Sequence, residues 1–424
     1  MKDVSSRINH CPADKHKEYT FMINNHQFLE LAKTHGTPLF VYDGDLMLEK
    51  YHALFRFIPH PALRIHYALK ANYNPALLTL LKDAGAGIDA VSPGEVVLAL
   101  KLGFAPEKII YTANNMTDAE FDRVIKSGVT VNIGSLSRLK KCAANYPGAR
   151  ICLRFNPDVC DGDNEKTMTG GDLTKFGILL ESADEAAEIA AKGGLHIIGL
   201  HEHTGSGLQH VESVLQSMDN LMAIATKERF PELEFLDFGG GFKIPYKEDE
   251  AEIDYVAMGK KIAEKFDRFC TVYGKELLMR FEPGKYLSAQ CGTLLMEVNT
   301  IKHNRTRTIA GCNSGFPQLI RPVLYGAYHQ IENLSNPDGK PAVYDVCGNI
   351  CETGDRFAEQ RELPEIREYD ILAVKNAGAY CYSMGSVYNL RPMPAEAVIK
   401  DGKLYNFRKA LSDEELTDRI INGN

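Results

Sequence analysis

Lys70 closes the stretch LRIHYALKAN (63–72), an apolar run that reads as a buried strand before the chain turns through Asn72, Asn74 and Pro75 into a helix. Period-two alternation puts Ile65, Tyr67 and Leu69 on one face and His66, Ala68 and Lys70 on the other. A lysine at the carboxyl end of a strand that faces a barrel interior can lose its charge through desolvation or a neighbouring cation and become an amine nucleophile. The plainer role is a solvated lysine that ends a strand. Downstream, HTGSG (203–207) and GGGF (239–242) carry glycines that permit positive φ and close backbone approach, so that N–H groups converge on an anion beside the Ser206 hydroxyl. Either segment alone could be a tight turn. Glu282, in FEPGK, is a carboxylate that either pairs with Lys70 or keeps a bound ring nitrogen protonated. His203 could stack on that ring or be a satisfied core histidine. His201 and His203 share a strand face, the pattern that opens a metal-dependent barrel hydrolase. Further histidine and aspartate ligands would be needed at other strand ends, and only Asp89 is available. An imine-forming lysine, a phosphate cradle and a carboxylate together describe pyridoxal phosphate as the cofactor, with no metal.

These residues need a scaffold that brings distant strand ends together. Eight apolar strands, at 63–69, 87–91, 108–112, 129–133, 149–155, 196–201, 234–238 and 276–281, alternate with amphipathic helices such as PALLTLLKDAG and PGEVVLALKLG. Alternation implies parallel pairing, and eight units match an α/β fold of the (β/α)8 barrel type, whose active site lies at the carboxyl ends of the strands. An open doubly wound sheet would carry a GxGxxG turn after its first strand, which is absent. Read in order, the strand ends are Lys70, Asp89 and Ser92, Asn114, Asn132 and Ser135, Arg154 and Asn156, His201 and His203, Gly239 to Gly241, and Glu282, nearly all polar or glycine.

Two connections exceed ordinary barrel loops, 157–175 and the segment from Gln209 onwards, and the first is a candidate lid. Beyond Gly284 the helical rhythm gives way to short alternating runs and one terminal helix, LSDEELTDRIIN, which predicts a second, antiparallel β domain. The expected division is an N-terminal segment 1–43 whose strand at 37–43 joins the β domain, a cofactor-binding barrel at 44–290, and the β domain at 291–424. The first eighteen residues read as loosely attached.

Composition bounds the rest. A chain of 424 residues with 44% hydrophobic and 25% charged residues is ordinary globular protein. A net charge of −8 with scattered basic residues argues against nucleic acid and membrane surfaces and for a small-molecule partner. No signal-peptide core or membrane-length apolar run is seen, so a cytoplasmic protein is expected. Ten cysteines lack paired spacing, Cys347 and Cys351 form an isolated CxxxC, and reduced thiols are expected.

From about Pro38 to Phe407 the chain resembles the diaminopimelate decarboxylases, pyridoxal phosphate enzymes of the alanine-racemase-like fold. The motifs that carry the resemblance are YALKAN at Tyr67, GIDAVSPGE at Gly87, KFGI at Lys175, GLHEHTGSG at Gly199, LDFGGGF at Leu236, EPGK at Glu282, LIRPVLYGAYH at Leu319, CETGD at Cys351, NAGAY at Asn376 and RPMPAE at Arg391. Any one is weak, whereas their number and order are specific.

The resemblance implies decarboxylation of meso-diaminopimelate to L-lysine and carbon dioxide, the last step of lysine biosynthesis. It implies that Lys70 forms the Schiff base, that His203 stacks on the cofactor, and that Ser206, Gly239, Gly240, Gly241 and Tyr380 hold its phosphate. Glu282 would pair with the ring nitrogen, with Pro283, Gly284 and Lys285 completing the EPGK segment at the cofactor. Arg321 and Tyr325, with Lys285 and Tyr380, would contact substrate, Glu352 would take its distal amino group, and Cys351 would return a proton to the reacting carbon. Cys351 and Glu352 would reach the site of a second subunit, which implies a homodimer with shared active sites. The plainer readings are an inert buried thiol at Cys351 and a surface ion pair at Arg321.

Three departures bear on substrate identity. Lys285 stands where the family usually has arginine, GNICE replaces the usual GP before the cysteine, and the usual histidine before KFGI gives way to Asp161, Asp163 and Glu165. The alternative is a decarboxylase of ornithine, lysine or arginine on the same scaffold. Arg321 and Glu352 favour a substrate with a second amino-acid head, because an amine tail would leave the arginine without a partner. A racemase would need a tyrosine base where Cys351 and Glu352 stand, and a bare barrel carrying the cofactor would not need so large a second domain.

Overall fold

The computed structural model describes residues 23–162, 165–167, 169–171, 174–208, 210–247, 249–250 and 253–423. The expectations for the first eighteen residues and for Asp163 fall outside them.

The strands are β1 Leu39–Asp43, β2 Leu63–Ala68, β3 Gly87–Ala90, β4 Ile109–Tyr111, β5 Thr130–Ile133, β6 Arg150–Arg154, β7 His196–His201, β8 Phe235–Asp237 and β9 Leu278–Phe281, followed by β10 Gly292–His303, β11 Thr308–Cys312, β12 Ile331–Asn333, β13 Ala342–Cys347, β14 Arg356–Leu363, β15 Ile371–Val374, β16 Ala395–Lys400 and β17 Lys403–Arg408. Strands β2 to β9 close into an eight-stranded parallel barrel, with β2 paired to β9. They are short and buried on both faces, as parallel strands wrapped by helices must be; of β2 only Arg64 is exposed.

The helices begin where the sequence places caps. Asn74 accepts from the backbone of Ala76 and Leu77 ahead of Pro75–Asp83, Ser92 caps Pro93–Lys101, and Thr117 with Glu120 forms a capping box on Asp118–Ile125. Each such cap is worth about 1 kcal/mol.

The first barrel strand ends one residue earlier than the predicted 63–69. β2 stops at Ala68, and Lys70 lies in a 3-10 turn, Leu69–Ala71. Three contacts with the second domain hold this turn: Asn72 Nδ2 donates to the Gly378 carbonyl at 2.9 Å, and the Ala71 carbonyl accepts from the Tyr380 N–H at 2.8 Å and from Ser383 Oγ at 3.0 Å. The alternation of faces therefore ends at Ala68, and the turn aims the lysine instead.

The second sheet runs β14-β13-β11-β10-β1-β16-β17, with β15 bonded to β10 and β12. It is mixed rather than purely antiparallel, because β1 runs parallel to β16 and β11 parallel to β13. β1 lies between β10 and β16, a buried central position. Where this sheet meets the barrel the backbones nearly touch. A Cβ on Gly378 would stand 1.9 Å from the Ser288 carbonyl oxygen, so only glycine fits.

Candidate active site

The carboxyl ends of the barrel strands and the second sheet enclose a cavity of about 840 Å³. Lys70, His203, Ser206, Glu282, Lys285, Arg321, Tyr325 and Tyr380 all line it. Gly239, Gly240, Gly241, Pro283 and Gly284 do not, and neither do Cys351 and Glu352.

Lys70 Nζ stands 2.7 Å from Asp89 Oδ2 at the end of the adjacent strand, and Asp89 is fully buried. Burial acts to lower the lysine's pKa, but the charges of Asp89, Tyr380 and Glu282 outweigh it and hold the amine above its ordinary range. The depressed pKa expected of a strand-end lysine is thus not found in this state, and the ion-pair partner is Asp89 rather than Glu282.

Glu282 pairs instead with His201, whose Nε2 lies 3.2 Å from Glu282 Oε2 with both side chains buried. Burial, and then Asp89, raise the pKa of Glu282 to about 8, against the pull of Lys70, Arg154 and Arg280. Its second oxygen, Oε1, is buried and has no hydrogen-bond partner among the described residues.

His203 is kept neutral by burial, with Arg154, Lys70 and His201 adding to the effect. Its Nδ1 accepts from the Gly240 N–H at 3.3 Å, which leaves the ring proton on Nε2. The Gly239 to Gly241 turn therefore packs closely against His203 and Glu282. A Cβ on Gly239 would lie 2.7 Å from His203 Nδ1, and one on Gly240 would lie 2.4 Å from the Glu282 carbonyl oxygen.

Arg321 is buried rather than part of a surface ion pair. Its guanidinium donates to Tyr246 Oη at 2.6 Å and meets His329 Nε2 at 3.3 Å. His329 Nδ1 lies 2.8 Å from the Lys375 carbonyl, so that nitrogen carries the proton and Nε2 is free to accept from Arg321. Burial first, and then Arg321, lower the His329 pKa to about 3 and keep it neutral. Tyr246 and His329 were not singled out by sequence reasoning. His329 closes the motif LIRPVLYGAYH, whereas nothing near Tyr246 marks it.

Tyr380 reaches the cavity from a backbone with φ of +57°, a conformation that non-glycine residues rarely adopt and that neighbours must hold in place. The candidate lid borders the same space through Thr167 and Thr169, and Lys166 Nζ crosses to the Leu324 carbonyl of the second domain at 3.1 Å.

Cys351 and Glu352 lie on the exposed surface of the second domain. Asn389 Nδ2 stands 3.1 Å from Cys351 Sγ, and Tyr388 Oη donates to Glu352 Oε1 at 2.7 Å. Cys351 is therefore exposed rather than an inert buried thiol. All nine described cysteines are free thiols, and Cys11 lies outside the described residues.

Behind the glycine layer, Glu202 is buried and accepts from Ser217 Oγ at 2.9 Å and Thr204 Oγ1 at 3.3 Å. Burial raises its pKa from 4.5 to about 8. A carboxyl whose pKa is higher in the folded state gives stability that is complete below its unfolded pKa and is lost as pH rises through the folded one. Glu202→Gln should therefore gain thermal stability relative to the parent protein as pH rises from about 5 to about 9. Melting curves across that window check this, and a difference in Tm that does not change with pH would refute it.

The family model of the pyridoxal binding domain of pyridoxal-dependent decarboxylases matches residues 44–289. A diaminopimelate decarboxylase from Methanothermobacter thermautotrophicus is 42% identical over 391 residues, which cover 90% of this chain and 91% of the relative. The chain belongs to the diaminopimelate decarboxylase family of pyridoxal-dependent decarboxylases. Another member, from Aquifex aeolicus, is 34% identical over 94% of this chain and 95% of its own length. The crystal structure of the Helicobacter pylori diaminopimelate decarboxylase, complexed with L-lysine, superposes with a TM-score of 0.84 at 30% identity, covering 94% of this chain and 100% of that one. The fold agrees with the barrel and C-terminal β domain that the sequence predicts, and the family is one of pyridoxal phosphate enzymes. The cavity fits that cofactor: Lys70 offers an amine, His203 a neutral ring, and Glu282 Oε1 a buried acceptor whose only missing feature is a donor. Among the described residues no helix is long and apolar enough to cross a membrane.

Proposed function

We propose that this protein decarboxylates meso-diaminopimelate to L-lysine and carbon dioxide with pyridoxal phosphate. The observation that carries the substrate choice is Arg321, a buried guanidinium oriented by Tyr246 and His329 in the same cavity as Lys70 and Glu282. A fixed fork of donors suits a carboxylate, which the distal head of diaminopimelate has and the tail of ornithine lacks.

Lys70 would hold pyridoxal phosphate through Nζ, and Asp89 would steady its ammonium whenever the amine is not bonded to the cofactor. His203, its plane set by the Gly240 N–H, would pack on the ring, and Glu282 Oε1 would take the ring nitrogen. Ser206, Tyr380 and the turn at Gly239 to Gly241 hold the phosphate. When bound, pyridoxal phosphate supplies an electron-poor ring that accepts the electron pair left as carbon dioxide departs. The chain would supply orientation, with Arg321, Tyr325 and Lys285 holding the substrate in the cavity.

The proton that replaces carbon dioxide comes from Cys351 of a second copy of this chain, with Glu352 taking the distal amino group. Two observations support a homodimer with shared sites. Cys351 and Glu352 are exposed beside the exposed apolar side chains of Val387, Tyr388 and Leu390. Lys70 also opens onto a second cleft of about 470 Å³, which Ser92, Glu95, Tyr380 and Met384 help to line. The reading includes a cytoplasmic location.

The deciding assay compares carbon dioxide release from meso-diaminopimelate, L-ornithine and L-lysine by the cofactor-loaded protein. A clear preference for ornithine would overturn the substrate choice. Shared sites make a separate prediction. Lys70→Ala and Cys351→Ala proteins, the latter down by about 10²-fold, should together recover about a quarter of the parental activity when mixed and allowed to exchange subunits. No recovery after verified exchange would show that each chain completes its own site.

A further inference from the structure

Beneath the cavity, His201 of β7, Asp237 of β8 and Glu282 after β9 form a buried layer in which one nitrogen and two carboxylate oxygens all lie within 4.8 Å of one another. His201 Nε2 faces Glu282 Oε2 at 3.2 Å, and Asp237 Oδ1 is anchored by the Gly239 N–H at 3.1 Å. Two proton arrangements satisfy the first contact. Either neutral His201 donates from Nε2 to a carboxylate, or a protonated Glu282 donates to a bare Nε2. Only the first leaves Glu282 anionic with Oε1 free to accept.

Several charges bear on the choice. Burial first, and then Asp89, oppose the carboxylate and carry its pKa to about 8, while Lys70, Arg154 and Arg280 favour it, so that without a donor at Oε2 the group would hold its proton in neutral solution. An imidazolium at His201 is disfavoured by burial, and also by Arg154 and Lys70, although Asp237 and Asp89 act the other way. His201 is therefore a neutral ring with one N–H to place. The geometry points to His201 as a positioning residue for the reaction: as the Nε2–H tautomer it donates to Glu282 Oε2, keeps that carboxylate ionised, and leaves Oε1 for the cofactor's ring nitrogen. This rests on the reading above that Glu282 takes that nitrogen.

The test compares His201→Gln, whose amide nitrogen can reach the place of Nε2, with His201→Asn, whose amide stops near the place of Nδ1. Both are loaded with pyridoxal phosphate labelled with 15N in the ring, and the ring-nitrogen shift is followed by NMR between about pH 6 and about pH 9. The Gln variant should keep the ring protonated. The Asn variant should lose that proton and about 10²-fold in kcat with KM little changed.

A protonated ring in His201→Asn, or an equal loss in both variants, would overturn the assignment. Should His201→Asn fail to take up cofactor, the parental holoenzyme decides the matter. With 15N-histidine labelling, and His201 assigned by its absence in the Gln variant, its resonances must report the neutral Nε2–H form. The Nδ1–H form or an imidazolium would overturn the proposal. Glu282→Gln separates the two readings: a ring that stays protonated in that variant removes the role given to Glu282, whereas loss there with retention in His201→Asn removes only the role given to His201.

Discussion

Lys70→Ala abolishes the visible absorption of the cofactor-loaded protein and lowers turnover by about 10⁴-fold or more. Lys243, Lys247 and Lys285 also line the cavity, so the size of the loss depends on Lys70 being the amine that bonds the cofactor. Lys70 lies in the turn that follows a barrel strand, 2.7 Å from the buried carboxylate of Asp89. That contact keeps the amine charged before the cofactor arrives and gives the displaced amine a defined place to return to. The control is Lys285→Ala, which should retain the absorption band and lose substrate affinity. A band that survives in Lys70→Ala and vanishes in Lys285→Ala would move the covalent link to the other lysine and overturn the assignment.

The second large effect is at Glu282. Its Ala variant should lose about 10³-fold in kcat, because removing a fixed charge aimed at the reacting group costs two to three orders of magnitude. KM should change much less, since the residues proposed to contact substrate, Arg321 and Tyr325, come from the second domain. Steady-state kinetics on meso-diaminopimelate with saturating cofactor measure the split. A loss below about tenfold in kcat would mean that the ring nitrogen finds its partner elsewhere.

What the sequence made legible follows from how local each signal is. The barrel was readable because its strands and caps are contiguous patterns: Asn74, Ser92 and Thr117 each sit one residue before the helix they start. The cavity residues Lys70, His203, Ser206 and Glu282 were readable because a barrel places its strand ends together whatever their separation in the chain. The pairings among them were not. Whether Lys70 meets Asp89 or Glu282 depends on a 3-10 turn that ends β2 early, and the contacts that hold this turn come from Gly378 and Tyr380, some 300 residues away. Arg321 read equally well as a surface residue, because its burial depends on Tyr246 and His329, which meet it only in three dimensions. The parallel pairings of the second sheet were missed for the same reason, since alternation reveals a strand but not its neighbour.

The placement of β1 has a consequence for how the molecule is made. Leu39 to Asp43 must pair with Ala395 to Ile399, so the middle of the sheet joins two segments that are synthesised some 350 residues apart. The barrel lies between them and can assemble during synthesis, while β1 waits for a partner some 350 residues downstream. A chain shortened from its C-terminus to end before Ala395 would leave Phe40 and Tyr42 on a bare strand edge, and should aggregate rather than yield a smaller working barrel.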